Sequence, residues 1–140
     1  MADNYLVDVN ICLDVLLKRE LFWRDSAKIF QAAENNEIRL FVSAISFDTI
    51  FYILSSDIGA SSAQRELNKF RLHICVAPVD GSVVDRALDA SWKDLKDALQ
   101  YYSAAISDCK ALITRNKRDY PVNKTQTSIL SPTEFISKKI

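Results

Sequence analysis

Apolar and polar positions divide the chain into short blocks whose period changes from one to the next. Residues 5–9, YLVDV, are β-rich and nearly continuous in apolar side chains, as a strand covered on both faces should be. Asn10 then stands where a helix N-cap would, its side-chain oxygen available to the free N–H groups of the following turn. Residues 11–19 read as a short helix, and 24–35 as a second, with Trp23, Ala27, Phe30 and Ala33 or Glu34 recurring every three or four positions. IRLFVSA, 38–44, predicts a strand, Ser46 a cap for a helix over 47–56, and a loop containing Gly59 leads to a helix near 62–70. A strand over 72–79 ends at Gly81, and a helix over 82–92 follows. The clearest helical pattern is 94–107, DLKDALQYYSAAIS, with Leu95, Ala98, Leu99, Tyr102 and Ile106 on one stripe. Then come a strand over 110–115, a polar loop over 116–128, a short strand at 129–130 and a helix from Pro132, whose ring suits a first turn. Strands alternating with helices predict an α/β fold around a mostly parallel sheet. No repeat, low-complexity linker or composition break divides the chain, so 1–140 reads as one domain.

Composition changes this picture mainly by exclusion. Eighteen basic residues balance eighteen acidic ones, so attraction to nucleic acid has to come from a local patch. The three cysteines, Cys12, Cys75 and Cys109, are far apart and form no CxxC pair, which argues against a disulfide scaffold or a thiolate metal site and for reduced, packed thiols in a cytoplasmic protein. Only Gly59 and Gly81 are present, too few for a P-loop or a dinucleotide-binding turn. His73 is the single histidine, which excludes a multi-histidine zinc site and paired-histidine acid–base chemistry; its place in LHICVA predicts a packed core side chain. Neither a secretion signal nor an apolar run long enough to span a bilayer is expected.

The polar residues that break the pattern carry the chemistry. A carboxylate at Asp8, inside an apolar run, is costly to desolvate unless it is paired, hydrogen-bonded or bound to a cation. Ligands of such sheets bind beyond the carboxyl ends of the strands, at the point where strand order reverses. Asp8 lies near the end of the first strand, Asp48 enters the helix after the second, Asp97 is in the first turn of the helix before the fourth, and Asp119 follows the fourth. Four carboxylates can thus reach one rim, where a divalent cation would relieve their mutual repulsion. Oxygen-only ligation selects Mg²⁺ or Mn²⁺. Asp94 reads as a helix cap, and Asp14 as a solvated acid, one lying behind the ligands, or a ligand itself.

YLVDVNICLDVLL, SAISFDTIFYIL, DLKDALQYYSAA and ALITRNKRDY, in this order and spacing, resemble the four motif blocks of the PIN domain, and ILSPTEF is similar to the strand–turn–helix that closes many such domains. The resemblance spans almost the whole chain. It implies a three-layer α/β/α sandwich and a metal-dependent ribonuclease, most often the toxin of a VapBC-type toxin–antitoxin pair, usually a dimer and neutralised by a small antitoxin protein. Asp8, Asp97 and Asp119 fall on the family's acidic positions as metal ligands. The second block departs, because Asp48 stands where the family usually has Glu, one methylene longer.

On this reading Asp8, Asp48, Asp97 and Asp119 are the catalytic acids, and water activated by the cation attacks an RNA phosphodiester. Asn10, Thr114, Arg115, Asn116 and Lys117 form the expected substrate-binding set, with Arg118 completing a basic cluster for phosphate. The apolar stretch Leu16, Leu17, Leu21, Phe22 and Trp23 is the candidate groove for an antitoxin helix, where not simply core. The alternative is a weakly catalytic PIN-like module that binds RNA or a protein without cleavage. A carboxylate-nucleophile phosphatase is disfavoured, because Asp8 is followed by Val9 and Asn10 with no second Asp.

Overall fold

The computed structural model describes residues 2–122 and 127–139; positions 123–126 of the expected polar loop lie outside them. In chain order the elements are β1 (Asp3–Val7), α1 (Val9–Leu16), α2 (Trp23–Glu34), β2 (Ile38–Ser43), α3 (Ser46–Ile58), α4 (Ala60–Arg71), β3 (Cys75–Ala77), α5 (Gly81–Ala90), α6 (Leu95–Ile106), β4 (Ala111–Ile113), β5 (Ser128–Leu130) and α7 (Pro132–Lys139). A single turn of 3₁₀ helix, Lys117–Asp119, interrupts the polar loop.

All five strands are parallel, in the order β3-β2-β1-β4-β5. Central β1 is paired on both edges, so its side chains must be apolar on both faces. Tyr5 and Val7 point into one core with Leu40, Val42, Ala111, Ile113 and Leu130, covered by α1, α2, α3, α4 and α7. Leu6 points the other way, with Phe41 and Leu112, into a second core closed by Tyr101, Ala104 and Tyr120. Helix α6 covers that face and α5 packs against α6. This is the three-layer α/β/α sandwich expected from the sequence. The chain builds outward from β1 to β2 and β3, then returns to the other side with β4, so the reversal point lies between β1 and β4. Their ladder runs to the rim, where the Asp8 N–H donates to the Ile113 carbonyl at 3.0 Å.

Several local expectations are corrected. Helix α1 begins at Val9 and its cap is Asp8, whose carboxylate accepts from the Val9 N–H; Asn10 is already inside the first turn. Ser46 opens α3 but does not cap it, its hydroxyl being turned to a distant partner instead. His73 is exposed, because β3 is only three residues long and residues 72–73 form the turn that precedes it. On α6 the buried positions are Ala98, Gln100, Tyr101, Ser103 and Ala104, whereas Leu95 and Ile106 lie at the surface. The apolar period was there, but the face turned to the sheet is the one carrying small residues, which let α6 approach closely, and it includes two polar side chains that apolar counting passes over. Of the proposed groove, Leu16 and Leu17 pack on the first core, while Leu21 and Phe22 are exposed.

Candidate active site

Asp8 is buried at the C-terminal rim of β1, and its position is explained by the donors around it. One oxygen accepts from the Val9 N–H at 2.6 Å and from Gln100 Nε2 at 3.0 Å. The other accepts from Thr114 Oγ1 at 2.8 Å, Tyr120 OH at 3.1 Å and Asn10 Nδ2 at 3.3 Å. These hydrogen bonds replace the water that burial removes, so the carboxylate can sit against an apolar core in one orientation. Thr114 Oγ1 also accepts from the Asn116 N–H at 3.0 Å, which ties the turn after β4 to the same point.

Asp97 lies in the first turn of α6, half-buried. Burial first, and then the charges of Asp94, Asp8 and Asp119, push its carboxyl up to about 7, with a Tyr120 hydrogen bond pulling the other way. Three acids far apart in sequence therefore act on one carboxyl. Asp94 caps α6, accepting from the Asp97 N–H at 3.1 Å. Asp119, exposed at the end of the 3₁₀ turn, borders a cleft of about 350 Å³ together with Trp92, Lys93, Asp94, Asp97, Arg118 and Pro121. Tyr120, next to Asp119, is buried: its ring packs edge-on against Trp92 at 6.0 Å, and its hydroxyl lies against both Asp8 and Asp97. Burial and these acids raise its pKa far above the usual phenol range, so it is a permanent donor and not a base.

Asp48 is exposed on α3 and does not line the cleft that Asp94, Asp97 and Asp119 share. The face of α3 turned toward α6 carries Ser46 and, three residues on, Thr49, whose hydroxyl accepts from Lys96 Nζ at 2.7 Å; Asp48 lies part of a turn away. Arg115 is held inward as well. Its guanidinium forks onto Asp14 at 2.9 and 3.1 Å and stacks on Phe22, 3.8 Å from the ring centroid. Asp14 is fully buried, also takes a bond from Ser26 at 3.1 Å, and belongs to this pair on the far side of α1. Lys117 is engaged by Glu134 at 2.9 Å. Asn116 and Arg118 are exposed beside the acids.

The residue that sequence reading missed is Gln100, almost wholly buried, whose amide joins Ser46, Asp8 and Tyr120. A signal existed: a long polar side chain three residues after Asp97, one turn along and so on the same side of α6 as that acid.

The donor set fits a hard divalent cation. It offers only oxygen, and the repulsion gathered on Asp97 is the kind a cation relieves. Among the described residues no three acids, histidines or cysteines converge into a closed ligand cage. The fit is therefore to an ion held through one or two carboxylates with water completing its shell, the usual habit of Mg²⁺.

A parallel sheet whose strand order reverses between β1 and β4, with acids at that point, defines the class of fold, and the sequence agrees: residues 4–118 match the PIN domain. The chain belongs to the PIN domain family. It is 24% identical over 142 residues to ribonuclease VapC1 of Aquifex aeolicus (strain VF5), a match covering 98% of this chain and 96% of that protein. Among solved structures it is similar to a chain of DNA-bound VapBC from Salmonella typhimurium, with a TM-score of 0.71 at 13% identity over 94% of this chain and 99% of that one. It is also similar to a chain of a toxin–antitoxin complex from Klebsiella pneumoniae, with a TM-score of 0.67 at 21% identity over 91% and 97%.

Proposed function

We propose that the protein is an endoribonuclease that hydrolyses RNA phosphodiesters with Mg²⁺ or Mn²⁺ bound at Asp8 and Asp97 and bordered by Asp119. The observation that carries this reading is the convergence of Asp8, Asp94 and Asp119 on Asp97, in a cleft that also presents Arg118 and Lys93. A cation bound there supplies charge neutralisation at the phosphate and a lowered pKa for a water molecule. The chain's own residues do the rest. Five donors hold Asp8 in one orientation. Tyr120 keeps its proton and cannot compete as a base. Arg118, Lys93 and the exposed Asn116 meet phosphate oxygens, while Asn10, Thr114 and Arg115 act by holding the turn after β4 in register with Asp8.

Its likeness to ribonuclease VapC1 and to chains crystallised within toxin–antitoxin complexes supports a toxin role, with a small antitoxin as partner. Homodimer formation, expected from the resemblance to the PIN domain family, is tested by sedimentation of the purified chain. No helix among the described residues is long and apolar enough to cross a membrane. One observation favours a second reading, a module that binds RNA or protein without cutting: Asp48 does not line the cleft of Asp94, Asp97 and Asp119, and Lys96 of α6 bonds its neighbour Thr49 on α3.

Cleavage of a mixed single-stranded RNA pool in Mg²⁺, Mn²⁺ and EDTA, beside an Asp8→Asn/Asp97→Asn variant, separates the two. Metal-dependent cutting that disappears in the folded double variant is the expected result. A wild-type protein that binds RNA but neither binds metal nor cuts would establish the binding module instead.

A further inference from the structure

We propose that Gln100 is a positioning residue for Asp8 and that Ser46 fixes which way its amide points. This inference deepens the ribonuclease reading and rests on it.

Gln100 is 1% exposed and Ser46 is fully buried, so neither exchanges partners with solvent. The amide has one accepting end and one donating end. Its Oε1 lies 3.0 Å from Ser46 Oγ, and its Nε2 lies 3.0 Å from Asp8 Oδ1 and 3.1 Å from the Tyr120 hydroxyl. The reversed amide would set a carbonyl oxygen against the Asp8 carboxylate, acceptor against acceptor, with no hydrogen between them. Asp8 therefore dictates that the NH₂ faces it, and the Ser46 hydroxyl must then donate to Oε1. With Nε2 supplying a proton to the Tyr120 oxygen, the phenol's single proton is left for the acids it faces, Asp8 Oδ2 at 3.1 Å and Asp97.

The result is a one-way chain of donors from Ser46 to Gln100, which delivers one proton to Asp8 Oδ1 and turns the Tyr120 hydroxyl toward the acids. Each bond in such a chain polarises the next. The carboxylate plane is set by partners on both oxygens, from α6 on one side and the turn after β4 on the other. Without these partners Asp8 could rotate out of the orientation that they impose on its carboxylate. Residues that orient a ligating carboxylate typically change metal affinity by roughly 10- to 100-fold when removed.

The test compares wild type with Gln100→Met, which keeps the volume and removes both ends of the amide, and with Ser46→Ala and Ser46→Thr. Mn²⁺ affinity by isothermal titration, thermal stability, and kcat and KM on RNA are measured for each. For Gln100→Met, Mn²⁺ binding is expected to weaken by roughly 10-fold or more, with kcat falling and KM for RNA unchanged. Ser46→Ala is expected to weaken Mn²⁺ binding in the same direction by a smaller factor, and Ser46→Thr, which keeps the hydroxyl, to restore it. A folded Gln100→Met protein with wild-type Mn²⁺ affinity and kcat would overturn the positioning role while leaving the ribonuclease reading intact. Should Gln100→Met fail to fold, the Ser46 pair decides: equal Mn²⁺ affinity in the Ala and Thr variants overturns the proposal. Wild-type protein that neither binds Mn²⁺ nor cuts RNA would instead sink the ribonuclease reading, and this inference with it.

Discussion

Two carboxylates in this protein share the problem of lying near an apolar core, and they solve it differently. Asp8 is surrounded by neutral donors, whereas Asp14 is neutralised by Arg115 within the protein. Removing one partner of a buried ion pair leaves an uncompensated charge, at a typical cost of about 3–5 kcal/mol. Ser26 and Arg19, the latter at 3.8 Å, remain near Asp14. Arg115→Ala is therefore expected to destabilise by roughly 3 kcal/mol in urea unfolding, the low end of that range, and adding Asp14→Asn should recover part of the loss. Asp97 makes a prediction about pH. Its folded pKa, about 7, lies above the ordinary 3.8, so between those values the native state holds a proton that the unfolded chain has released. Without divalent cation, this residue's contribution to stability falls as pH rises across that window and is level above it. Asp97→Asn has no such term. Its melting temperature in EDTA should match wild type near pH 4 and exceed it increasingly toward pH 7; a constant gap would show that Asp97 is not under this repulsion.

At the scale of elements, the site depends on where helices begin. Asp8 ends β1 and caps α1 in one residue, so the strand–helix junction and the acid at the rim are the same position. Asp94 caps α6 one turn before Asp97 and adds negative charge to it, a helix-start preference that also raises the local demand for a cation. Asp80 offers the control. It caps α5 through the Val83 N–H at 3.0 Å and is not among the charges acting on Asp97. Asp80→Ala should cost about 1 kcal/mol in denaturant unfolding and leave RNA cleavage and metal affinity unchanged. Loss of cleavage at matched folding would place α5 in the site.

For the whole molecule, the sheet gathers acids of like sign onto one rim, and a ligand that binds only the folded state must stabilise it. Mg²⁺ or Mn²⁺ at 100 times its Kd should add about 2.7 kcal/mol to unfolding. The rise in melting temperature should be absent from the Asp8→Asn/Asp97→Asn variant, and an equal rise in both proteins would mean that the cation binds elsewhere. The two cores explain why such crowding is tolerated: β1, β2 and β4 are covered on both faces, so the strain falls on a rim held by a large buried interior.

Sequence alone determined the alternation of strands and helices, the parallel sheet and the acids worth watching, because local period and a charge inside an apolar run are visible without knowing what lies opposite. It could not determine which acids meet. Asp8 and Thr114 are 106 residues apart, and Gln100 is 54 from Ser46 and 20 from Tyr120. Those pairings depend on strand order, which brings β4 beside β1, and on the rotation of α6, which turns Gln100 inward and Leu95 out. The same rotational question separates Asp48 from Thr49 on α3, adjacent in sequence yet on different faces. Helical phase is set by packing against the sheet, and packing is the one quantity that a linear pattern does not contain.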